Sequence, residues 1–173
     1  PSALQEPIVR IHEGIFTLPF DHFRELALEE VRAVIPFDMA VWGSGIHSLN
    51  QILSVSIVGL PEASLLTYAA LWQEQDFVRL ACARLPGKAF RNEDVMPLDQ
   101  YHCSAIYREY SHPAGIEHAL GIIELNSAAD IADMIFLFRN NPEAAFTEGE
   151  REALEALSPH LRAAWSHAQI AFH

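Results

Sequence analysis

The chain has 173 residues, of which half are hydrophobic and a fifth are charged. These proportions are typical of one globular domain rather than a disordered chain, and no apolar run approaches the roughly 18 residues of a membrane span. Eleven basic residues, only one of them lysine, stand against 23 acidic residues, for a formal net charge of −12. Because nucleic acid binding needs concentrated positive charge, direct binding by this segment is not expected.

The first half of the chain predicts helix and strand in turn. The first nineteen residues fit either a short helix or an edge strand. Residues 20–35 predict a helix that stops at Pro36, with one apolar face formed by Phe20, Phe23, Ala27, Val31 and Val34. Residues 38–60 predict two strands joined by a turn, and the second strand alternates between Leu53, Val55 and Ile57 on one side and smaller residues on the other.

The second half predicts further helices and two more strands. Residues 61–85 predict one or two helices beginning at Pro61, residues 86–96 a loop, and residues 97–111 another helix. Strands are predicted over residues 114–125 and 132–139. The last strand is apolar on both sides, which places it near the centre of the sheet. The order of elements predicts an α+β fold with a central antiparallel sheet flanked by helices.

A long helix is predicted over residues 147–172. Thr147 and Glu150 have the spacing of a capping box at its start. Apolar residues then recur at spacings of three and four, and the main members of this stripe are Leu154, Leu157, Leu161 and Trp165. The stripe fits either packing on the domain's own core or a connecting and dimerising helix.

Part of the chain resembles a known family. The order of elements is similar to the GAF fold, a small sensor domain related to PAS. The last seventy or so residues resemble the sensor half of bacterial LuxR-type transcriptional regulators. The positions that carry this resemblance are Tyr107, Tyr110, Pro113, Gly115, Arg139, Phe146, Thr147, Glu150, Pro159, His160 and Leu161.

The resemblance implies a function. In that family the sensor half dimerises, and a helix-turn-helix domain that binds DNA follows the long helix. Residues 1–173 are therefore expected to form a single GAF-like sensor domain, with no recognition helix of their own and with the terminal helix as connector and dimer contact. The chain is expected to be a homodimer in the cytoplasm and not an enzyme. The reducing cytoplasm also agrees with the two cysteines, which match no disulfide framework.

Aromatic residues are the candidate ligand-binding set. Ligand pockets are mostly apolar with a few oriented polar groups, which tryptophan and tyrosine supply. The candidates for one cavity are Trp42, Tyr68, Trp72, Phe77, Tyr101 and Phe136. The resemblance implies a small, largely apolar ligand near Trp42, Tyr68 and Trp72, and no cofactor. The alternatives are that these rings simply fill the core, and that the chain is a dimeric interaction module without a ligand.

Cysteine and histidine chemistry is the remaining alternative. His102, Cys103, His112 and His118 lie close in sequence and carry metal-binding atoms, but their spacings match no compact metal motif, so no metal site is predicted. A nucleophilic Cys103 with a histidine base would make a small enzyme. No neighbouring cation or helix start is evident to activate this thiol, so a catalytic role is not expected.

Overall fold

The computed structural model describes residues 2–17 and 22–171. The helices are α1 (Ser2–Thr17), α2 (Phe23–Val34), α3 (Glu62–Leu71), α4 (Phe77–Arg84), α5 (Asn92–Val95), α6 (Leu98–His102) and α7 (Glu148–Ala171). The strands are β1 (Met39–Ile46), β2 (Gln51–Val58), β3 (Phe90–Arg91), β4 (His118–Asn126) and β5 (Ile131–Arg139). Of the helices within these ranges, none is both long and apolar enough to cross a membrane.

One antiparallel sheet joins the five strands in the order β2-β1-β5-β4-β3. The predicted central position of β5 is confirmed, since this strand pairs with β1 on one side and β4 on the other. Helices flank the sheet, so the predicted α+β architecture is confirmed as well. The sheet therefore has two covered faces, and alternate residues of each inner strand point to opposite faces.

Helices α1, α2 and α7 pack on one face of the sheet and form a buried core with it. Its core includes Trp42, Leu120 and Leu137 from the strands and Phe23 and Val31 from α2, each no more than 1% exposed. The helix predicted around Phe23 is confirmed; Phe20 lies outside the described residues. The ambiguous N-terminal segment is a helix, α1, and it packs its buried Ile11 into the same core.

The predicted cap of α7 is confirmed in atomic detail. The Thr147 backbone N–H donates to Oε1 of Glu150 at 2.9 Å, and the Glu150 backbone N–H donates to the Thr147 hydroxyl at 3.1 Å. Glu150 also accepts hydrogen bonds from Arg139 at the end of β5. This pair anchors the first turn of α7 to the sheet.

The apolar stripe of α7 packs within its own chain. Leu154, Leu157 and Leu161 are each 0% exposed, and Trp165 is 9% exposed, because the stripe packs on the sheet, α1 and α2 of the same chain. Of the two interpretations of the stripe, packing on the domain's own core is the one that the structure shows, and the role of α7 as connector or dimer contact stays a prediction. An amphipathic stripe signals only that a face is covered, and here the chain's own core covers it.

The segment between β2 and β4 departs most from the sequence prediction. The predicted loop over residues 86–96 contains the short strand β3 and the one-turn helix α5. The predicted helix over residues 97–111 is broken after α6 and resumes as a wider turn over Tyr107–Ser111. At the break, the Ser104 hydroxyl donates to the carbonyl of Tyr101 at 2.5 Å and accepts from the Tyr107 backbone N–H at 3.4 Å. A serine side chain that replaces backbone partners in this way competes with a regular helix.

Candidate functional site

A cavity of about 360 Å³ lies on the other face of the sheet. Its floor is formed by residues that alternate along β1, β4 and β5, namely Val41, Gly43, Gly45, Ala119, Ile123, Ala132, Met134, Phe136 and Phe138. Its walls come from α3, α4, α6 and the Tyr107–Ser111 turn. Small side chains on the floor leave the space open, and most of the lining is aliphatic or aromatic.

Gly121 of β4 positions the aromatic ring at the floor. It pairs with Phe136 across the two central strands, and a Cβ atom at Gly121 would lie 2.4 Å from the Phe136 ring. Only glycine allows the ring to lie this close to the backbone of β4. The ring is consequently held flat on the sheet beside the cavity.

A partly buried carboxylate provides the main polar group of the cavity. Asp76 is the N-cap of α4, and its Oδ1 accepts the backbone N–H groups of Val78 and Arg79 at 3.1 and 3.2 Å. Its Oδ2 accepts the hydroxyl of Tyr68 at 2.6 Å. Both Tyr68 and Asp76 line the cavity. Since a carboxylate oxygen can accept more than one hydrogen bond, Oδ2 keeps capacity for a donor on a ligand.

Burial tunes the acid–base properties of this pair. Desolvation raises the pKa of Asp76 above its ordinary value, against the opposing effect of the hydrogen bonds from Tyr68 and the α4 backbone. Desolvation, together with the nearby Asp76 charge, also raises the pKa of Tyr68 well above its ordinary value. Tyr68 therefore stays a hydroxyl donor at neutral pH. The site can accept a hydrogen bond from a ligand N–H or O–H at Asp76.

Two more tyrosines complete the inner wall. The Tyr110 hydroxyl donates to the backbone carbonyl of Ser64 at 3.0 Å, and the Tyr101 hydroxyl donates to the Ser111 hydroxyl at 3.2 Å. Burial raises the pKa of Tyr110 to about 12. The rings of Tyr68 and Tyr110 lie 5.7 Å apart between centroids. These bonds fix the tyrosine rings, so the wall presents ring faces rather than free hydroxyls.

Polar side chains line the mouth of the cavity. Arg79 of α4 donates to the Gln73 carbonyl at 2.9 Å and to the side-chain oxygen of Asn50. Asn50 in turn donates to Oε1 of Glu74 at 2.6 Å. This chain of hydrogen bonds joins the β1–β2 turn to the short turn after α3. Asn50 thereby links Arg79 and Glu74 at the rim of the cavity.

The structure brings together three of the six predicted ligand-binding residues. Tyr68, Tyr101 and Phe136 line the cavity. Trp72 and Phe77 belong to the same side of the sheet but lie one layer back, packed against the cluster that includes Tyr101 and Tyr110. The Trp72 ring is stacked on Tyr110 at a centroid distance of 6.5 Å.

The prediction for Trp42 is wrong. Its side chain points to the opposite face of the sheet, where it is 1% exposed and lies 6.3 Å from the ring of Trp165. The reason is strand alternation, because Val41 and Gly43 face the cavity and the residue between them must face away.

Asp76 is the residue that sequence reasoning missed. Its position before the helical segment beginning at Phe77 was a readable N-cap signal, and Tyr68 lies eight residues earlier on α3. Neither feature shows by itself that the cap also faces a cavity. Gly43 and Gly45 lie two positions apart and therefore on the same side of β1. They were a second signal, since small residues on one side of a strand leave room above the sheet.

The candidate cysteine and histidine side chains, His102, Cys103, His112 and His118, do not line the cavity. Cys103 is exposed, whereas burial raises the pKa of Cys82 to about 12 and keeps it a thiol. His112 pairs instead with the buried Glu117, at 2.5 Å from its Nδ1 to Oε1, and Tyr107 donates to the same carboxylate at 2.7 Å. Across residues 2–17 and 22–171 no group of three or more potential ligands is placed to hold a metal ion.

Several solved structures share this fold. Neither a protein-family model nor a curated protein sequence matches the chain. The VqsR LBD domain from Pseudomonas aeruginosa superposes with a TM-score of 0.68 at 16% identity, over 100% of this chain and 99% of that one. The N-acylhomoserine lactone dependent LuxR family transcription factor CepR2 from Burkholderia cenocepacia gives 0.58 at 16% identity, over 99% and 95%.

A GAF domain shares the fold as well. The phycoerythrobilin-bound GAF domain of a cyanobacterial phytochrome gives a TM-score of 0.64 at 14% identity, over 98% of this chain and 97% of that one. The GAF-like fold predicted from the order of elements is thus confirmed. At these identities the comparison establishes the fold alone.

Proposed function

We propose that this chain, which has the fold shared by GAF domains and LuxR-type sensor domains, is the ligand-sensing domain of a LuxR-type transcriptional regulator. It binds a small, largely apolar molecule in the cavity over the sheet. The observation that carries the proposal is the mainly apolar cavity with a partly buried hydrogen-bond acceptor, Asp76, which Tyr68 holds in place. An apolar pocket with a few convergent polar groups is the usual form of a small-molecule site.

The geometry at Asp76 narrows the ligand. A carboxylate that is buried and already partnered by Tyr68 favours an uncharged ligand group that donates one hydrogen bond. The rest of the ligand is apolar, because Ile123, Met134 and Phe136 line the floor. CepR2 is named as dependent on N-acylhomoserine lactone, a molecule with a polar end and an apolar chain, and the present site suits the same broad class of small amphiphile.

A buried arginine supplies the proposed route from the cavity to α7. Gly43 and Gly45 line the cavity, while Ser44 between them faces the packed side of the sheet. There its hydroxyl contacts Arg24 of α2 and Asp133 of β5. The Arg24 guanidinium lies 3.9 Å from the ring centroid of Trp165 on α7.

Ligand contact at the glycines of β1 is therefore transmitted through one side chain to the terminal helix. A ligand that binds one arrangement of β1 more tightly than another shifts the population of α7 positions. The regulator acts in the cytoplasm through a helix-turn-helix domain attached beyond α7, and it acts as a homodimer. Because the leucines of α7 pack in the chain's own core, the proposed dimer contact uses other surfaces.

Native mass spectrometry of gently purified protein, compared with its denatured mass, tests the proposal. We expect an additional small-molecule mass on the folded wild-type protein. In the Gly43→Leu variant this mass should be lost, because the new side chain enters the cavity. The matched Gly43→Ala variant should keep it, since its Cβ would meet Met134 at 3.5 Å, an ordinary contact distance. A folded wild-type protein that never carries a bound mass contradicts the proposal.

A further inference from the structure

A buried histidine at the start of β4 has one ring nitrogen without a partner. The side chain of His118 is 2% exposed. Its Nε2 lies 2.7 Å from the backbone carbonyl oxygen of Pro142. Because a carbonyl oxygen can only accept a hydrogen bond, Nε2 carries the proton of the neutral ring. The other nitrogen, Nδ1, is buried and has no hydrogen-bond partner in the part of the chain that the structure describes. A buried polar atom in this state requires an explanation.

The carboxylate of Glu93 on α5 supplies that explanation. Its Oε1 lies 3.6 Å from Nδ1 of His118. In the neutral ring both of these atoms are acceptors, so neither satisfies the other. In the imidazolium form Nδ1 becomes a donor that faces the carboxylate, while Nε2 continues to donate to Pro142. Both ring nitrogens therefore have partners only when the ring is protonated.

The charges of β3 and α5 leave this oxygen of Glu93 to the histidine. The Arg91 guanidinium donates to both carboxylate oxygens of Asp94 and, at 3.1 Å, to Oε2 of Glu148. Its Nε lies 3.8 Å from Oε2 of Glu93, the oxygen that does not face His118. The two positive groups thus approach the Glu93 carboxylate from its two different oxygens.

The charges next to His118 on β5, α7 and its own strand are engaged elsewhere. Arg139 pairs with His118 across the two strands, and its guanidinium donates to Glu150 at the start of α7. Glu117 precedes His118, and its carboxylate accepts the hydroxyl of Tyr107 at 2.7 Å. Glu93 is therefore the carboxylate that is placed to answer a proton on Nδ1.

This histidine joins the wall of the cavity to the segment before α7. Pro142 lies between β5 and α7. On α5, Asn92 is 3% exposed and lines the cavity, and its Oδ1 accepts the backbone N–H of Ala119 at 2.6 Å. Ala119 lines the cavity as well and follows His118 on β4. A contact between His118 and α5 thus ties a wall of the cavity to the chain that enters the terminal helix.

We propose that His118 is a proton-operated latch, whose imidazolium binds Glu93 of α5 and the Pro142 carbonyl together and whose neutral form releases Glu93. The latch is an input separate from the ligand, since its groups lie outside the cavity. A change of pH near neutrality changes how firmly α5 is held to the segment before α7. Histidine is the side chain whose charge changes most readily in this range, and pairs of this kind act as pH switches.

The pH dependence of the latch has a definite sign. The facing Glu93 carboxylate raises the pKa of His118 above 6.5, against the effect of desolvation. The stability that the latch contributes is therefore fully present below pH 6.5 and is lost as pH rises through the folded pKa. The contact of α1 with α7 responds in the opposite direction, because desolvation and the charges of His160 and His167 lower the pKa of His12. Global stability mixes these effects, so the test must report on His118 itself.

An NMR titration of protein with isotope-labelled histidine tests the ion pair, with His118→Gln to assign the signal. We expect the Nε2–H tautomer at high pH and a titration midpoint above 6.5. Glu93→Gln should lower the midpoint by about half a pH unit or more, because the opposite charge is gone and the new amide N–H can donate to the neutral Nδ1. The control Glu143→Gln removes an exposed carboxylate next to Pro142. It should shift the midpoint by less than about 0.2 units, since solvent screens that charge.

Hydrogen exchange tests whether the proton also ties the two segments together. The reporter amides are those of Ala119, bonded to Asn92, and Thr147, bonded to Glu150 at the start of α7. After correction for intrinsic exchange, their protection should be about threefold or more higher at about pH 6 than at about pH 8.5, the factor that a shift of about half a pKa unit gives. In Glu93→Gln the protection should be equal at both pH values. Amides paired between β1 and β2 serve as the internal control and should not change.

The outcomes bear on the latch alone. A midpoint at or below 6.5, or the same midpoint in the wild type and in Glu93→Gln, overturns the ion pair and with it the proposal. A midpoint that depends on Glu93 without any change in protection at Ala119 and Thr147 overturns the coupling. Neither measurement needs a bound ligand, so this inference and the proposed sensor function fail independently.

Discussion

The two faces of the sheet are built for different purposes. Under α1, α2 and α7 the side chains of β1, β4 and β5 form one buried cluster, and Leu154, Leu157 and Leu161 are each 0% exposed. Under α3 and α4 the same strands present glycine and alanine among larger apolar side chains, and a cavity of about 360 Å³ lies above them. The strands belong to both faces, so one face can hold the fold while the other binds.

This difference indicates which face of the sheet stabilises the domain and which face has room for the proposed ligand. Close packing supplies most of the folding free energy, and a face left unpacked gives up part of it. Helix α3, which has no buried residue, marks the low-stability side. Ligand binding should therefore stabilise the open face and leave the packed face nearly unchanged.

The largest expected effect compares one leucine from each face. Leu157→Ala should lower the free energy of unfolding by about 2–5 kcal/mol, because it opens a cavity in a closed core. Leu65→Ala only enlarges an existing cavity and should cost about 1 kcal/mol or less. Chemical denaturation of both variants measures the contrast, and similar losses would erase the distinction between the faces.

The next effect concerns the polar group buried within the packed face. Burial lowers the pKa of Arg24 to about 10, although the charge of Asp133 acts against this shift. The guanidinium donates to the Ser54 hydroxyl at 2.9 Å and stacks on Trp165. Arg24→Met should cost about 1–3 kcal/mol, because the hydroxyls of Ser44 and Ser54 lose their hydrogen-bond donor.

Arg24→Lys is the control for this variant. It keeps the charge but loses the planar stack on Trp165, so it should recover only part of the stability. Tryptophan fluorescence should also change in both variants. A variant with unaltered fluorescence and stability would show that Arg24 does not connect β1 to α7.

A smaller effect is expected at the start of α7. Thr147→Ala removes the hydroxyl that caps Glu150 and should cost about 1 kcal/mol, within a range of about 0.5–2. Thr147→Ser keeps the hydroxyl and should stay near wild type. Thermal unfolding checks this pair, and equal losses in both would assign the effect to packing rather than to the cap.

The smallest expected change is a gain in the free energy of unfolding rather than a loss, and it depends on pH. Burial raises the pKa of Asp76 in the folded state above 3.8, so in the window above this value the folded state holds a proton that the unfolded state has lost. Stability contributed by this group therefore falls as pH rises from 3.8 through the folded pKa. Asp76→Asn keeps an N-cap but cannot ionise.

The asparagine variant should accordingly match the wild type below pH 3.8 and become relatively more stable as pH rises through that window. Urea unfolding at a series of pH values measures the difference. The same substitution should weaken ligand binding, which would separate stability from function at one residue. A difference that does not change with pH would contradict the burial of an ionised Asp76.

Much of the fold could be predicted from local sequence signals. Thr147 and Glu150 specify the start of α7 through their own side chains, and the two-sided apolar pattern around Phe136 specifies a central strand. Such features depend on neighbouring residues along the chain. The break after α6 was missed because the Ser104 side chain competes with the helix, an effect that apolar periodicity does not report.

The site was harder to predict because it depends on which face each residue meets. Strand alternation places Trp42 and Gly43 on opposite sides of the sheet, but nothing local shows which side stays open. The apolar stripe of α7 that includes Leu157 posed the same difficulty. Burial in the chain's own core and burial in a dimer interface produce the same sequence pattern. Asp76 was missed because its role in the cavity requires Tyr68 on a different helix.

A crystal structure of the wild-type protein, purified gently from its expression host, tests the central claim most directly. The account predicts elongated electron density in the cavity on the α3–α4 face, with one polar atom within hydrogen-bond distance of Oδ2 of Asp76. A cavity occupied only by ordered water, or closed by α3 packed down on the sheet, would contradict the account.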